Sequence, residues 1–325
     1  PAPAPTEIYT ERNSSAASDV YKRQLWLTPA ERQTIDWEPD YRAGFGDSLK
    51  FISYDLYVAG NAPAWTPSYL YSDFESRSLQ DIILPMANLL AHELAHANDA
   101  MPPAFLSVVS GNETVLDASL RFEARSPSLQ LLNTYPLSSS FLYQLGEVRF
   151  FGAPVSESIL QLSARRLGLE FAQDEANALY AYATPYEDTA MLVEEVLTSY
   201  YFGVDRIVSF LDLPPGEPQD CTEYTVQWSS INRAAKPAVK ERARLVLSGI
   251  LDEADVARYL DAVPEPGELA RGLSLCENLE RLPSAPGALP GRFIPPPEVA
   301  RKQAEKVRIH RKVRERSRYG RTRVR

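Results

Sequence analysis

Apolar and polar positions fall into a few readable stretches. Phe51–Val58 (FISYDLYV) is rich in aromatic and β-branched residues and stops at Gly60-Asn61, which predicts a strand. From Ser78 to Asp99 (SLQDIILPMANLLAHELAHAND) the apolar residues Ile82, Met86, Leu89, Leu90 and Leu94 recur at helical spacing. Pro85 starts or kinks that helix, and Pro102-Pro103 ends it. Strands are predicted at Ala104–Val109, at Thr114–Ala124, where Val115, Leu116, Leu120 and Phe122 alternate, and at Val148–Phe151. Ser156–Ala172 and Glu187–Phe202 read as helices, Leu213–Gln219 as a loop, and 238–262 as two short helices. From Val263 to Val299 Pro and Gly are frequent and periodicity fades. There is no internal repeat. Strands mixed with helices in this order predict an α+β body at residues 25–282, with a small mixed sheet and a helix-rich C-terminal part.

Residues 1–24 are rich in Pro, Ala and Ser and lack an apolar face, so they are set outside the fold as a disordered leader or non-native segment. Residues 283–325 form a Pro-rich linker and a basic tail. The net charge of −9 hides two unlike parts: 301–325 holds 12 Lys and Arg against 2 Glu, leaving 22 against 41 acids in the other 300 residues. An acidic body is a poor candidate for phosphate-backbone binding, so no nucleic acid is expected on it; the tail reads as a solvated extension whose role the sequence leaves open. No window holds the ~18 apolar residues that a transmembrane helix needs, so no transmembrane segment is expected. Cys221 and Cys276 are too far apart for a CxxC motif; they either pair across a long loop or remain buried thiols. With the Pro-rich start, this favours export, periplasmic or secreted, over the cytoplasm.

Only three histidines occur, and two of them stand four residues apart in His92-Glu93-Leu94-Ala95-His96. On a helix these two imidazoles share a face and can grip one ion, while Glu93 is turned by about 100° and can reach a water bound there. Neutral imidazole suits zinc, and three protein ligands leave a position open for that water. Asp99 lies on the same face, placed either to ligate or, preferably, to accept a histidine N–H and fix its orientation. The third ligand must come from another element.

The segment Tyr180-Ala-Tyr182-Ala-Thr184-Pro185-Tyr186-Glu187-Asp188-Thr189-Ala190-Met191, taken with HELAHAND, resembles the gluzincins, whose third zinc ligand is a Glu in an E-x-x-A helix. The nearest pattern is HExxHxxD followed by an EFFA-like helix, as in the group of the anthrax lethal factor catalytic domain and the Mlc titration factor peptidases. The resemblance implies a zincin-like fold with His92, His96 and Glu187 on Zn2+, Glu93 as general base and Asp99 as the trailing aspartate. It also implies a tyrosine ahead of the ligand Glu that polarises the scissile carbonyl, here Tyr180 or its rival Tyr182. Glu187-Asp188-Thr189-Ala190 departs from EFFA at its middle pair. Residue chemistry leaves alternatives: Thr184-Pro185-Tyr186-Glu187 fits a capping box, which would spend Glu187 on an amide and leave Glu194, then Glu195 or Asp188, to ligate. Most of this acidic run reads as a solvated face. The expected activity is zinc-dependent hydrolysis of a peptide or protein substrate. The alternatives are a catalytically silent zinc-bound regulatory protein, or an exported binding protein with an incidental HExxH.

Overall fold

The computed structural model describes residues 51–59, 62–65, 79–151, 153–212, 222–251 and 256–282. The expectations for 1–24, for 25–50, for Leu213–Gln219, for Cys221 and for 283–325 lie outside these residues. Strands β1 (Phe51–Ala59) and β2 (Ala62–Trp65) pair antiparallel. Helix α1 follows at Leu79–Ala100 and runs through Pro85. After it come α2 (Val115–Phe122), α3 (Pro127–Thr134), α4 (Ser140–Phe151), α5 (Glu157–Leu160), α6 (Ala164–Gln173) and α7 (Pro185–Phe202). Strands β3 (Asp205–Asp212) and β4 (Thr225–Ile231) precede α8 (Pro237–Ile250), α9 (Ala257–Leu260) and α10 (Leu275–Arg281). The α+β expectation holds. The sheet, in order β2-β1-β3-β4, is antiparallel at every pairing rather than mixed. The helical excursion after β2 returns the chain against β1 in the opposite direction, and β4 doubles back on β3.

Three predicted strands are helical. Pro103 starts a 3-10 helix over Pro103–Val108, because its fixed φ suits a first helical position. Thr114 caps α2 by accepting from the Asp117 amide; Val115, Leu116 and Leu120 face solvent while Ala118 and Phe122, four apart, are buried. The apparent alternation there was a helix seen through its exposed residues. Val148–Phe151 is the last turn of α4, whose buried Leu142, Leu145, Gly146 and Val148 follow no period of two. The helix expected over Ser156–Ala172 breaks at Gln161–Ser163, where the Ser163 hydroxyl restarts it by capping α6. Conversely, β3 gave no strand signal, since Arg206–Leu211 is buried throughout and Arg206 and Ser209 interrupt its apolar run.

The sheet's two faces carry separate cores. Val208 and Phe210 pack with α4, α6 and Tyr182, whereas Ile207, Leu211 and Val226 pack with α10. Gly168 on α6 lets that helix approach closely, as a Cβ there would lie 2.2 Å from Trp228. A further core joins α1, α3, α7, α8 and α9 around Ala95, Leu192, Val196 and Leu247. Gly203, at φ 60°, ends α7 in the left-handed region and turns the chain into β3. Cys276 is disulfide-bonded. Among the described residues no helix is long and apolar enough to cross a membrane.

Candidate metal centre

Helices α1 and α7 pack directly on one another, and their meeting faces are polar. On α1, Asn88, His92, Ala95 and Asp99 fall on one buried face at spacings of three and four. On α7 every side chain from Glu187 to Val196 is buried, including Glu187, Asp188, Glu194 and Glu195. The acidic run is therefore no solvated face. Buried charges require partners, and the seven-residue spacing divides the four acids between two faces. Glu187 and Glu194 face α1. Asp188 takes a two-pronged ion pair with Arg242, whose Nη1 is 3.2 Å from Oδ1. Glu195 accepts from the Ala234 amide at 2.9 Å and from Asn177 at 3.1 Å, beside Arg206.

The two histidines and Glu187 converge. His92 Nε2 lies 3.0 Å from Glu187 Oε2, and His96 Nε2 lies 3.1 Å from His92 Nε2 and 3.4 Å from the same carboxylate oxygen. One donor atom from each of the three residues falls within 4.8 Å of the others, so the group could hold a metal ion. Two imidazole nitrogens and one carboxylate oxygen, held by two packed helices, fit a small divalent cation that prefers nitrogen and oxygen ligands. The capping alternative is half met: Thr184 Oγ1 accepts from the Glu187 amide at 3.1 Å, but the Glu187 carboxylate turns to the histidines instead of completing the box. Glu194 lies on the far side of the ring, with Oε2 3.0 Å from His92 Nδ1, away from the converging atoms. Asp188 and Glu195 point away altogether.

Compared with protein-family models, with curated proteins and with solved structures, the chain returns no match. The reading of the centre thus rests on its own geometry.

Burial alone would lower the pKa of His92, but the carboxylates of Glu187 and Glu194 on either side push it up to about 10. Burial would raise Glu187, yet His92 and His96 hold it well below the usual carboxylate range. An imidazole between two carboxylates is a place that attracts positive charge, whether a proton or a metal. Glu93, on the neighbouring face of α1, has its Oε1 buried.

The remaining expected residues divide. Tyr180 stacks on His92 with ring centroids 6.2 Å apart and is backed by Phe150 at 4.8 Å. Tyr182 belongs to the core: its hydroxyl donates to Asp174 at 2.9 Å, and burial, with the Asp174 charge, pushes its pKa up. Asp99 accepts from the Ser128 amide and hydroxyl, both at 2.7 Å, and so caps α3 from outside instead of bonding a histidine. The expected histidine N–H acceptor exists, but it is Glu194. Its seven-residue spacing from Glu187 was the signal that it shares that face.

Proposed function

We propose that the protein is a zinc-dependent metallopeptidase of gluzincin type. The observation that carries this reading is the meeting of His92 Nε2, His96 Nε2 and Glu187 Oε2 from two helices, with Glu93 one position along from His92. Zinc, when bound, supplies a Lewis acid that brings the pKa of water toward ~7 and polarises a carbonyl. His92, His96 and Glu187 would hold it. Glu93 takes the proton of the attacking water and returns it to the leaving amine. Tyr180, beside His92, donates its hydroxyl to the developing oxyanion. Tyr182 is committed to Asp174 and takes no part.

The test is elemental analysis with peptide digestion. The expected result is about one zinc per chain, removed by a chelator together with hydrolysis, and a Glu93→Gln variant that keeps zinc but loses roughly 10²–10⁴-fold in rate. A chain that takes up no zinc would overturn the metal reading. Zinc bound stoichiometrically without cleavage of any peptide in a broad library would overturn the peptidase and leave a zinc-holding binding protein.

A further inference from the structure

The metal-facing nitrogen of His92 is oriented from its other side, and the support there comes from the sheet. In the β1–β3 register Tyr57 stands opposite Arg206, so both side chains leave the same face. Both are buried, and the Arg206 guanidinium lies over the Tyr57 ring, 5.7 Å from its centroid. Two cross-strand neighbours with no place in the HExxH pattern thus converge on α7.

Their common target is Glu194. The Tyr57 hydroxyl donates to Glu194 Oε1 at 3.3 Å, and Arg206 Nη1 lies 3.5 Å from the same oxygen. The direction of the tyrosine bond is fixed by Asn88, one turn before His92, whose Nδ2 donates to the Tyr57 oxygen at 3.0 Å and to Thr198 Oγ1 at 3.0 Å. The hydroxyl accepts from Asn88, which leaves its own proton for the carboxylate. Glu194 therefore divides its two oxygens: Oε1 is anchored to the sheet, and Oε2 lies 3.0 Å from His92 Nδ1. A carboxylate only accepts, so without a metal both ring nitrogens of His92 donate, Nδ1 to Glu194 and Nε2 to Glu187; with a cation at Nε2, Glu194 would hold the remaining proton on Nδ1 and so fix which nitrogen ligates.

We propose that Tyr57 and Arg206 are positioning residues for the metal centre and act through Glu194. The proposal rests on the reading of His92, His96 and Glu187 as metal ligands. None of Tyr57, Asn88, Arg206 or Glu194 supplies an atom to that triad. Arg206 also serves Glu195 and the Met191 carbonyl, so its removal mixes positioning with folding. Tyr57→Phe deletes a single oxygen, and Glu194→Gln preserves shape while removing charge. These two are the informative variants.

The experiment measures zinc dissociation constants by competition with a chromophoric chelator for the full chain, for Tyr57→Phe, for Glu194→Gln and for the double variant. Thermal unfolding of each metal-free protein and the visible spectrum of each cobalt-loaded one accompany it. Glu194→Gln is expected to weaken zinc about 10–100-fold, as loss of an outer partner of a ligating histidine does. Tyr57→Phe is expected to weaken it by up to about tenfold. Because Tyr57 acts through Glu194, the double variant binds no more weakly than Glu194→Gln alone. The cobalt spectrum shifts in both single variants, and metal-free melting falls only by what a lost buried hydrogen bond or charge costs, so that each variant is still folded when zinc is offered. Unchanged zinc affinity in Tyr57→Phe, or losses that add in the double variant, would overturn the proposal. A parent chain that binds no zinc would overturn the ligand reading first, and this one with it.

Discussion

Removing Arg242 isolates what holds α7 in place. Its guanidinium is fully buried and pairs with Asp188 through two prongs, while Nε donates to the Tyr135 carbonyl at 3.2 Å and Nη1 to the Glu175 carbonyl at 2.9 Å. In Arg242→Met the unbranched apolar stem is kept, but Asp188 is left buried without its cation, which by itself costs about 3–5 kcal/mol. Two carbonyls also lose charged donors, partly offset because no guanidinium need be desolvated, so the expected loss is about 4–6 kcal/mol. That is a large share of the roughly 5–15 kcal/mol by which a domain is folded. Asp188→Asn should cost less, about 2–3 kcal/mol, since Arg242 keeps both carbonyls. Urea unfolding of metal-free protein, followed by circular dichroism, measures both.

The pH dependence provides a second arm with a definite sign. Burial pushes Asp188 up to about 6, and Arg242 is what restrains it. Without Arg242 the folded value rises further, while the unfolded value stays near 3.9. A carboxylate whose folded pKa exceeds its unfolded one binds a proton on folding. Its stabilising form is then present below about pH 4 and is lost as pH rises through the folded pKa, at about 1.4 kcal/mol per unit. The gap in stability between Arg242→Met and its parent should therefore widen from pH 6 to pH 8. A variant within about 1 kcal/mol of the parent, or a gap flat with pH, would refute the account of α7 as a helix fixed by buried ion pairs.

Two other substitutions separate core from site. Tyr182→Phe should cost about 1–3 kcal/mol by taking a donor from buried Asp174, with zinc uptake and kcat unchanged, whereas Tyr180→Phe should keep zinc uptake and lose about 10²–10³-fold in kcat. A loss of kcat in Tyr182→Phe with none in Tyr180→Phe, read in a peptide-hydrolysis assay, would exchange their roles. Gly168→Ala forces a Cβ to within 2.2 Å of Trp228 and should destabilise the fold by about 1–3 kcal/mol; an unchanged urea midpoint would show that α6 can move off the sheet at no cost.

The parts of the centre that could be read in the sequence are those carried on a single helix. His92 and His96 are one turn apart, and no tertiary information is needed to place them on one face. Glu187 was legible only as one of two options, because a Thr at the N-cap and an acid at the third position serve a capping box equally well. The structure uses the Thr and sends the acid elsewhere. The burial of Asp188 and Glu195 was not legible, since it depends on Arg242 and Arg206, whose meeting with α7 is a property of the folded chain. From its own helix Asp99 is placed as a histidine partner, but Ser128, on another helix, claims both of its oxygens. For the strands, β1 announced itself through composition. By contrast β3, covered on both faces and carrying an arginine used by α7, had neither alternation nor an unbroken apolar run to reveal it.

The four buried acids of α7 also bear on the order in which the chain can assemble. Their partners come from both directions: His92 about a hundred residues earlier, Arg206 eleven residues after Glu195, and Arg242 fifty-four residues after Asp188. As the polypeptide emerges from the ribosome, α7 appears after His92 but before Arg206 and Arg242, the cations of Glu195 and Asp188. Until β3 and α8 are made, docking this helix against α1 would bury uncompensated negative charge. The two histidines must therefore wait for a segment far downstream before they can meet Glu187, which ties completion of the centre to a late, long-range closure of the fold.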